Sequence, residues 1–407
     1  MNVLFITQSN INSINDRGIY ADLLRKFRKE GHYVFIVSPS ERRLGQQTHL
    51  IDMDGVKILK VKTLNVQKTN VIEKGFSILI IERLYKRALI KYFGHLSFDL
   101  ILYSTPPITF VNVVKYMKKK NPQAISYLLL KDIFPQNAVD VGMFSKKSIL
   151  YWLFRRKEMA LYNISDFIGC MSPANVDFLK DHNPNIPKDK MEVAPNSIEL
   201  TLESMDPLSE EKNRELIRRK FDLPTDKPIF IYGGNLGIPQ GIDYIIKCLD
   251  AIRHRTDCFF VIVGNGTEYC KIDAWINKHT KETSNLPIKL MKRLSKEDYD
   301  LLLRSCDVGL IFLDHRFTIP NFPSRLLPYL ENKIPVLCAT DPNTDIGKIA
   351  DQNGFGFWCV SINPKEFVAL VDKVLISDRI KMGLKGYEFL KNNFQVDNTY
   401  NIIMKHI

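Results

Sequence analysis

The stretch IFIYGGNLGIPQGIDYII, residues 229–246, decides the fold. Its opening apolar run reads as a buried strand, glycines 233, 234 and 237 as a tight turn, and the isoleucines from 242 onward as the start of an amphipathic helix. A phosphate can sit on such a turn, because glycines allow close backbone approach and the next helix offers its N-terminal N–H groups; the plainer alternative is that the glycines serve only the turn. A phosphate-binding turn belongs early in a doubly wound domain, yet this one lies past the middle of a 407-residue chain. It is therefore the first strand-to-helix turn of a second domain.

The segments on either side follow the same rhythm. Downstream come CFFVIVG, a helix near 266–280, IKLM, a helix near 296–304, VGLIFL, a helix near 324–331, PVLCAT and a helical tail. Upstream, NVLFIT, YVFIVSP, VKILKV, DLILYST, ISYLLL and DFIGCMS read as strands with helical segments between them. Strands alternating with helices imply mostly parallel sheets, here built twice. The expected domains are 1–200 and 201–385, with 386–407 a C-terminal helix placed to cross back to the first. The charged run TLESMDPLSEEKNREL, about residues 200–216, is expected to be the hinge.

Composition narrows the class. With 45% hydrophobic and 25% charged residues, the chain is globular rather than disordered. Seven cysteines without a C-x-x-C pair argue against a disulfide framework or a zinc ribbon and fit a reducing cytosol. The opening MNVLFITQSN lacks the features of a secretory signal, and the best apolar run, FSILII at 76–81, stops at Glu82 and Arg83. The net charge of +12 is uneven: residues 1–200 carry 29 Lys and Arg against 18 Asp and Glu, and the remainder carry 28 against 27. The basic first half is expected to face an anionic surface.

Several residues are candidates for chemistry. Gly264 and Gly266 in VIVGNGTE repeat the strand-to-helix glycine pattern. In PNFPSRLLPY, Pro323 and Ser324 suit a helix start, with Ser324 as cap and Arg325 in the first turn, which is either an anion site or an ordinary capped helix. Asp132 follows a buried strand of the first half and is the candidate general base; Asp16 is a second catalytic candidate, and Arg17 and Gly18 beside it are expected acceptor contacts. Each carboxylate has the alternative of a solvated loop charge. The D-x-D of DMDG, residues 52–54, lies between two strand-like runs and reads as a hairpin turn rather than a metal site.

The series YGGNLGIPQGIDYII, VIVGNGTE, MKRLSKEDYDLLLRSCDVGLIFL and PNFPSRLLPYLENKIPV resembles, in order and spacing, the donor half of GT-B glycosyltransferases of the GT4 type. NDRGIYADLLRKFRKEGHYVFIVSP and LLLKDIFPQNAVDVGMF of the first half are similar to the branch of bacterial N-acetyl-L-fucosamine transferases of capsule and O-antigen assembly. The resemblance implies an α/β GT-B fold, two Rossmann-like domains in series with a cleft between them. It departs from the common pattern where two phosphate-binding cations are replaced by Asn235 and Gln240, and two glutamates by Pro320 and Pro328. The donor contacts it implies are thus Gly234, Asn235, Gly237, Gln240, Gly264, Arg293, Pro323, Ser324 and Arg325, with the phosphate charge on Arg325 and Arg293.

On this reading a UDP-sugar is the donor substrate, no cofactor or metal is required, and a polyprenyl-diphosphate-linked saccharide is the acceptor. FSILIIERLYKRALIKYFG (76–94) and KKSILYWLFRRKEMALY (146–162) mix bulky apolar and basic residues at helical spacing, either core helices with solvated basic faces or helices for an anionic membrane. The expected location is cytoplasmic, peripheral on the inner face of a bacterial membrane. Two alternatives differ in class. A UDP-sugar 2-epimerase needs acid/base carboxylates and histidines around the cleft, of which the second half is short, and a nucleic-acid binder needs basic residues interleaved with stacking aromatics or a recognisable module, and no such module is visible.

Overall fold

A computed structural model describes residues 1–53, 55–65, 71–200, 207–282 and 285–407. The chain divides into two compact units, Met1–Glu199 with Phe394–Ile407, and Leu200–Asn393.

The first unit contains, in chain order, β1 (Asn2–Ile6), α1 (Ile19–Lys29), β2 (Tyr33–Glu41), β3 (His49–Met53), β4 (Val56–Thr63), α2 (Val71–Phe93), β5 (Leu100–Ser104), α3 (Val111–Lys120), β6 (Ile125–Leu130), α4 (Gln136–Asp140), α5 (Ile149–Ile164), β7 (Phe167–Cys170), α6 (Pro173–His182) and β8 (Met191–Val193). The second contains α7 (Pro207–Lys220), β9 (Ile229–Asn235), α8 (Ile242–Ile252), β10 (Phe259–Asn265), α9 (Tyr269–Glu282), β11 (Ile288–Lys292), α10 (Lys296–Leu303), β12 (Val308–Phe312), α11 (Leu326–Glu331), β13 (Val336–Thr340), α12 (Ile346–Gln352), β14 (Gly356–Val360), α13 (Pro364–Leu375) and α14 (Arg379–Asn393). Helix α15 (Val396–Met404) belongs to the first unit.

The first sheet has the order β3-β4-β2-β1-β5-β6-β7-β8, parallel except where β3 meets β4; the second, β11-β10-β9-β12-β13-β14, is parallel throughout. The central strands are apolar on both faces because helices cover both. In β9, Ile229, Phe230, Ile231 and Tyr232 are all buried, and α8 closes one side with Ile242, Ile245, Leu249 and Ile252. Strand order reverses between β1 and β5 in one sheet and between β9 and β12 in the other. Open α/β sheets bind ligands outside the carboxyl ends of strands at such reversals.

Two expectations change, and the reading of the D-x-D stretch as part of a hairpin agrees with the structure. The stretch assigned to a hinge is helical from Pro207, because Arg214 and Arg218 of α7 both clasp Asp307 at the foot of β12; residues 201–206 lie outside the described residues. The helical tail contains a strand, β14, whose Gly356 fits under Val336 of β13. The D-x-D stretch ends β3 of an antiparallel hairpin with Met53 opposite Val56, and Asp52 pairs with Lys57; Asp54 lies outside the described residues. The seven cysteines are free thiols, all buried except Cys270.

Candidate active site

The carboxyl end of β9 is shaped by close packing. A side chain at Gly264 would place its Cβ 1.9 Å from the Gly234 carbonyl oxygen, so the ends of β9 and β10 can lie side by side only as glycine. Gly234 itself has φ +145, and a Cβ there would stand 3.2 Å from Arg325 Nη2. The glycines expected to admit a phosphate thus also admit one another and the guanidinium.

Beyond Gly234 the loop is tied internally. Asn235 Nδ2 and the Gly237 N–H both donate to Gln240 Oε1, at 3.0 and 3.2 Å, and Tyr232 Oη donates to the Asn235 carbonyl at 2.7 Å. The two amides at the positions where the resemblance puts cations therefore hold each other across a single 3-10 turn, and the Gly237 N–H expected on a phosphate is already engaged. Asp314, buried after β12, donates its N–H to the Pro239 carbonyl at 3.0 Å and so fastens this loop at the strand reversal. Its carboxylate is held by Arg316 at 2.9 and 2.7 Å, which keeps it below the usual carboxylate range despite its burial.

Arg325 is the distinctive group. Its guanidinium lies 4.5 Å above the Tyr232 ring, and its buried Nη1 has no hydrogen-bond partner. Around it stand Tyr299, whose ring fills the space beside Gly233, and Tyr329, whose hydroxyl accepts from the Gly233 N–H at 3.3 Å. Burial raises Tyr299 well above the ordinary tyrosine range and Tyr329 to about 12, so neither supplies a negative charge. Burial works against the charge of Arg325, but contact with the neutral tyrosines, the Tyr232 ring and hydroxyl among them, outweighs it, and the pKa of the guanidinium is raised. Among the described residues no carboxylate lies within ion-pair distance of it.

The remaining donor candidates scatter. Arg293 is exposed just past β11, two strand positions from β9 and so roughly 10 Å along the sheet edge. Pro323 and Ser324 form a turn, their carbonyls accepting from Leu326 and Leu327 at 3.2 and 3.1 Å. Ser324 is not the cap: α11 starts at Leu326, and Arg325 occupies the N-cap position without a side-chain cap bond. Arg325 is not in the first turn either, since it precedes Leu326, where α11 begins.

In the first unit, Asp132 follows β6 at the carboxyl edge. It accepts from Asn137 Nδ2 at 2.6 Å, and burial outweighs that bond, pushing the carboxyl up to about 6. Next to it Lys131 donates to the Ala194 carbonyl at 3.1 Å, and burial lowers its ammonium to about 7. Asp16 is exposed in the β1–α1 loop, Arg17 is half-buried beside it, and the Gly18 N–H donates to Asp22 Oδ1 at 3.1 Å. That loop is clamped by the buried Lys60, which donates to the Asn10 and Asn12 side chains, the Ile11 carbonyl and Ser38 Oγ. Asp16 and Asp132 share the carboxyl edge but follow strands, β1 and β6, that are separated by β5. Sequence reasoning missed Tyr299, Tyr329, Lys131 and Lys60; the one readable signal was Tyr329, one helical turn after Arg325.

Residues 213–388, wholly within the second unit, match the model of the family Glycosyl transferases group 1. The probable glycosyltransferase WbjE of Pseudomonas aeruginosa is 24% identical over 269 residues, 66% of this chain and 64% of its own length. The putative colanic acid biosynthesis glycosyl transferase WcaI of Escherichia coli K12 is 25% identical over 160 residues, 39% of this chain and 37% of its own. The aligned stretches thus span less than two thirds of either relative. The structure of Anabaena HepE in complex with UDP-glucose superposes with a TM-score of 0.69 at 12% identity, covering 100% of this chain and 99% of that one. The fold is GT-B. Within this GT-B chain, the family match contains the glycine loop, Asp314 and Arg325 together. No helix among the described residues is long and apolar enough to cross a membrane.

Proposed function

We propose that the protein is a glycosyltransferase of polysaccharide biosynthesis. It moves an N-acetylated deoxyhexosamine, L-FucNAc by the branch resemblance, from its UDP derivative to a polyprenyl-diphosphate-linked saccharide at the inner face of a bacterial membrane. The group 1 family match, the names of WbjE and WcaI, and the UDP-glucose bound by HepE support the reaction class and a uridine donor.

The observation that carries the reading is half-buried Arg325, whose buried Nη1 has no hydrogen-bond partner and which has no carboxylate within ion-pair distance among the described residues. A buried N–H without an acceptor carries an unmet desolvation cost, and an arriving anion that accepts from Nη1 relieves it. A departing nucleoside diphosphate gains negative charge as the sugar leaves, so a fixed cation at its oxygens favours the transition state more than the ground state. Tyr232 beneath the guanidinium fixes its plane, and Asp132, ionised above about pH 6, takes the proton of the acceptor hydroxyl. With the charge supplied by arginine, transfer proceeds without a divalent ion, and chelation by EDTA leaves it unchanged.

Thermal unfolding with UDP, GDP, dTDP and ADP tests the donor site. UDP at a hundredfold excess over its Kd stabilises by about 2.7 kcal/mol, and Arg325→Met abolishes that gain while leaving the UDP-free protein as stable as the parent or more so. An undiminished UDP effect in Arg325→Met removes this arginine from the site. Transfer assays with UDP-amino sugars then identify the donor.

A further inference from the structure

Of the two basic amphipathic segments, the structure separates one that faces the core from one that faces out. In α2, Ile81, Tyr85, Ala88, Leu89 and Phe93 are buried, and Ile90 is the exposed large hydrophobic residue among those described. In and before α5 the opposite holds: Met143, Ile149, Leu150, Trp152 and Leu153 are 68, 79, 53, 59 and 48% exposed. At 3.6 residues per turn, Trp152, Arg156, Ile149, Leu153 and Leu150 fall on one continuous arc of about 160°.

The rest of α5 is firmly held, so this exposure does not come from a loose helix. Ser148 caps it at the Tyr151 N–H, Phe154 packs on Phe134 with ring centroids 4.9 Å apart, and Glu158 accepts from Tyr162 Oη at 2.8 Å. Residues 141–157 contain five basic side chains and no acidic one, and Lys146, Lys147 and Arg156 are exposed with the apolar group. Arg156 lies 5.8 Å from the Trp152 ring. Bulky apolar residues ringed by uncompensated cations are complementary to one kind of surface, a bilayer of anionic lipid. A protein partner of ordinary surface composition offers carboxylates but not a plane of hydrocarbon beneath them.

We infer that residues 143–156 form a membrane-docking face that inserts Ile149, Trp152 and Leu153 among anionic lipids while Lys146, Lys147 and Arg156 meet the headgroups. The inference rests on the membrane-side part of the proposed function and gives it a location. The inner side of the same helix backs the candidate base: Tyr151 Oη donates to Gln136 Oε1 at 3.4 Å, and the adjoining Asn137 holds Asp132. Docking through this face brings a lipid-borne acceptor to the unit that carries Asp132.

The test is cosedimentation of the full chain with phosphatidylcholine vesicles with and without phosphatidylglycerol, at low and high salt. Binding is expected to require the anionic lipid, to weaken in salt, and to fall at least tenfold in the triple variant Ile149→Ser, Trp152→Ser, Leu153→Ser. In a chain carrying Trp275→Phe and Trp358→Phe, emission from Trp152 shifts to the blue on binding. The melting transition of the first unit, followed by scanning calorimetry, is the same in the triple variant as in the parent, which shows that it is folded. Equal vesicle binding by parent and triple variant overturns the inference, as does absence of parent binding, or self-association of the lipid-free chain that the triple variant abolishes. UDP stabilisation without vesicle binding sinks this inference alone; vesicle binding without a UDP effect sinks the donor site alone.

Discussion

Asp132 and Lys131 are neighbours that burial pushes in opposite directions, the carboxyl up to about 6 and the ammonium down to about 7, and each bonds elsewhere. A carboxyl raised in the fold binds protons that the unfolded chain has released, so its contribution to stability falls as pH rises from about 4 to 6. A lysine lowered in the fold does the reverse, so its contribution rises between about pH 7 and 10.5. The two together place a minimum near neutrality. Asp132→Asn is expected to stabilise the first unit by about 2 kcal/mol at pH 7 and to flatten the slope between pH 4 and 6, read from urea unfolding across pH. If Asp132 is the base, the same change lowers transfer by about 10²-fold or more; enhanced stability with undiminished transfer makes it a strained structural residue. Its position was readable because a residue after a buried parallel strand has few places to go. The tyrosines around Arg325 were not readable, since Tyr232, Tyr299 and Tyr329 come from three separate elements. Asn235 and Gln240 read as two missing cations, and only the turn between them shows that they bond to each other.

At the scale of elements, the strand–helix alternation was plain in the sequence, because buried parallel strands are uninterrupted apolar runs. Elements whose stability comes from specific partners were hidden. Helix α7 looks like a linker by charge until Asp307 is seen to hold two of its arginines, and β14, which begins with a glycine followed by two aromatics, lacks alternation. The glycines of the β9 and β10 ends raise a question that mutation answers. Gly264→Ala sets a Cβ 1.9 Å from the backbone oxygen of Gly234, which no rotamer change relieves, and is expected to cost about 3 kcal/mol. Gly237→Ala meets the far end of the Asn235 side chain at 2.8 Å in extended backbone, so it costs below about 1 kcal/mol. Urea midpoints of the two variants, each with and without UDP, separate packing from recognition. Similar costs for both contradict the packing account.

At the scale of the whole molecule, the chain leaves its first unit at Glu199 and re-enters it at Phe394, and α1 anchors both points. At the exit, Arg25 of α1 binds Glu199 at 2.6 Å and Asp22 accepts the Glu199 N–H at 3.1 Å. At the return, Lys26 pairs with Asp397 at 2.6 Å and Phe27 meets the Tyr400 ring edge-on at 4.9 Å. Farther along, His406 stacks on Phe167 at 3.6 Å and reaches Glu192 at 2.8 Å. The last segment is therefore part of the first unit's core, with Phe394, Val396 and Ile403 no more than 5% exposed. Burying three such side chains contributes about 5 kcal/mol, comparable to the whole stability of an ordinary domain. Deleting residues 394–407 is thus expected to lower or abolish the melting transition of the first unit while sparing the UDP-responsive transition of the second, as followed by scanning calorimetry with and without UDP. An equal fall in both transitions, or in neither, means that the segment does not stabilise the unit it follows in space rather than in sequence.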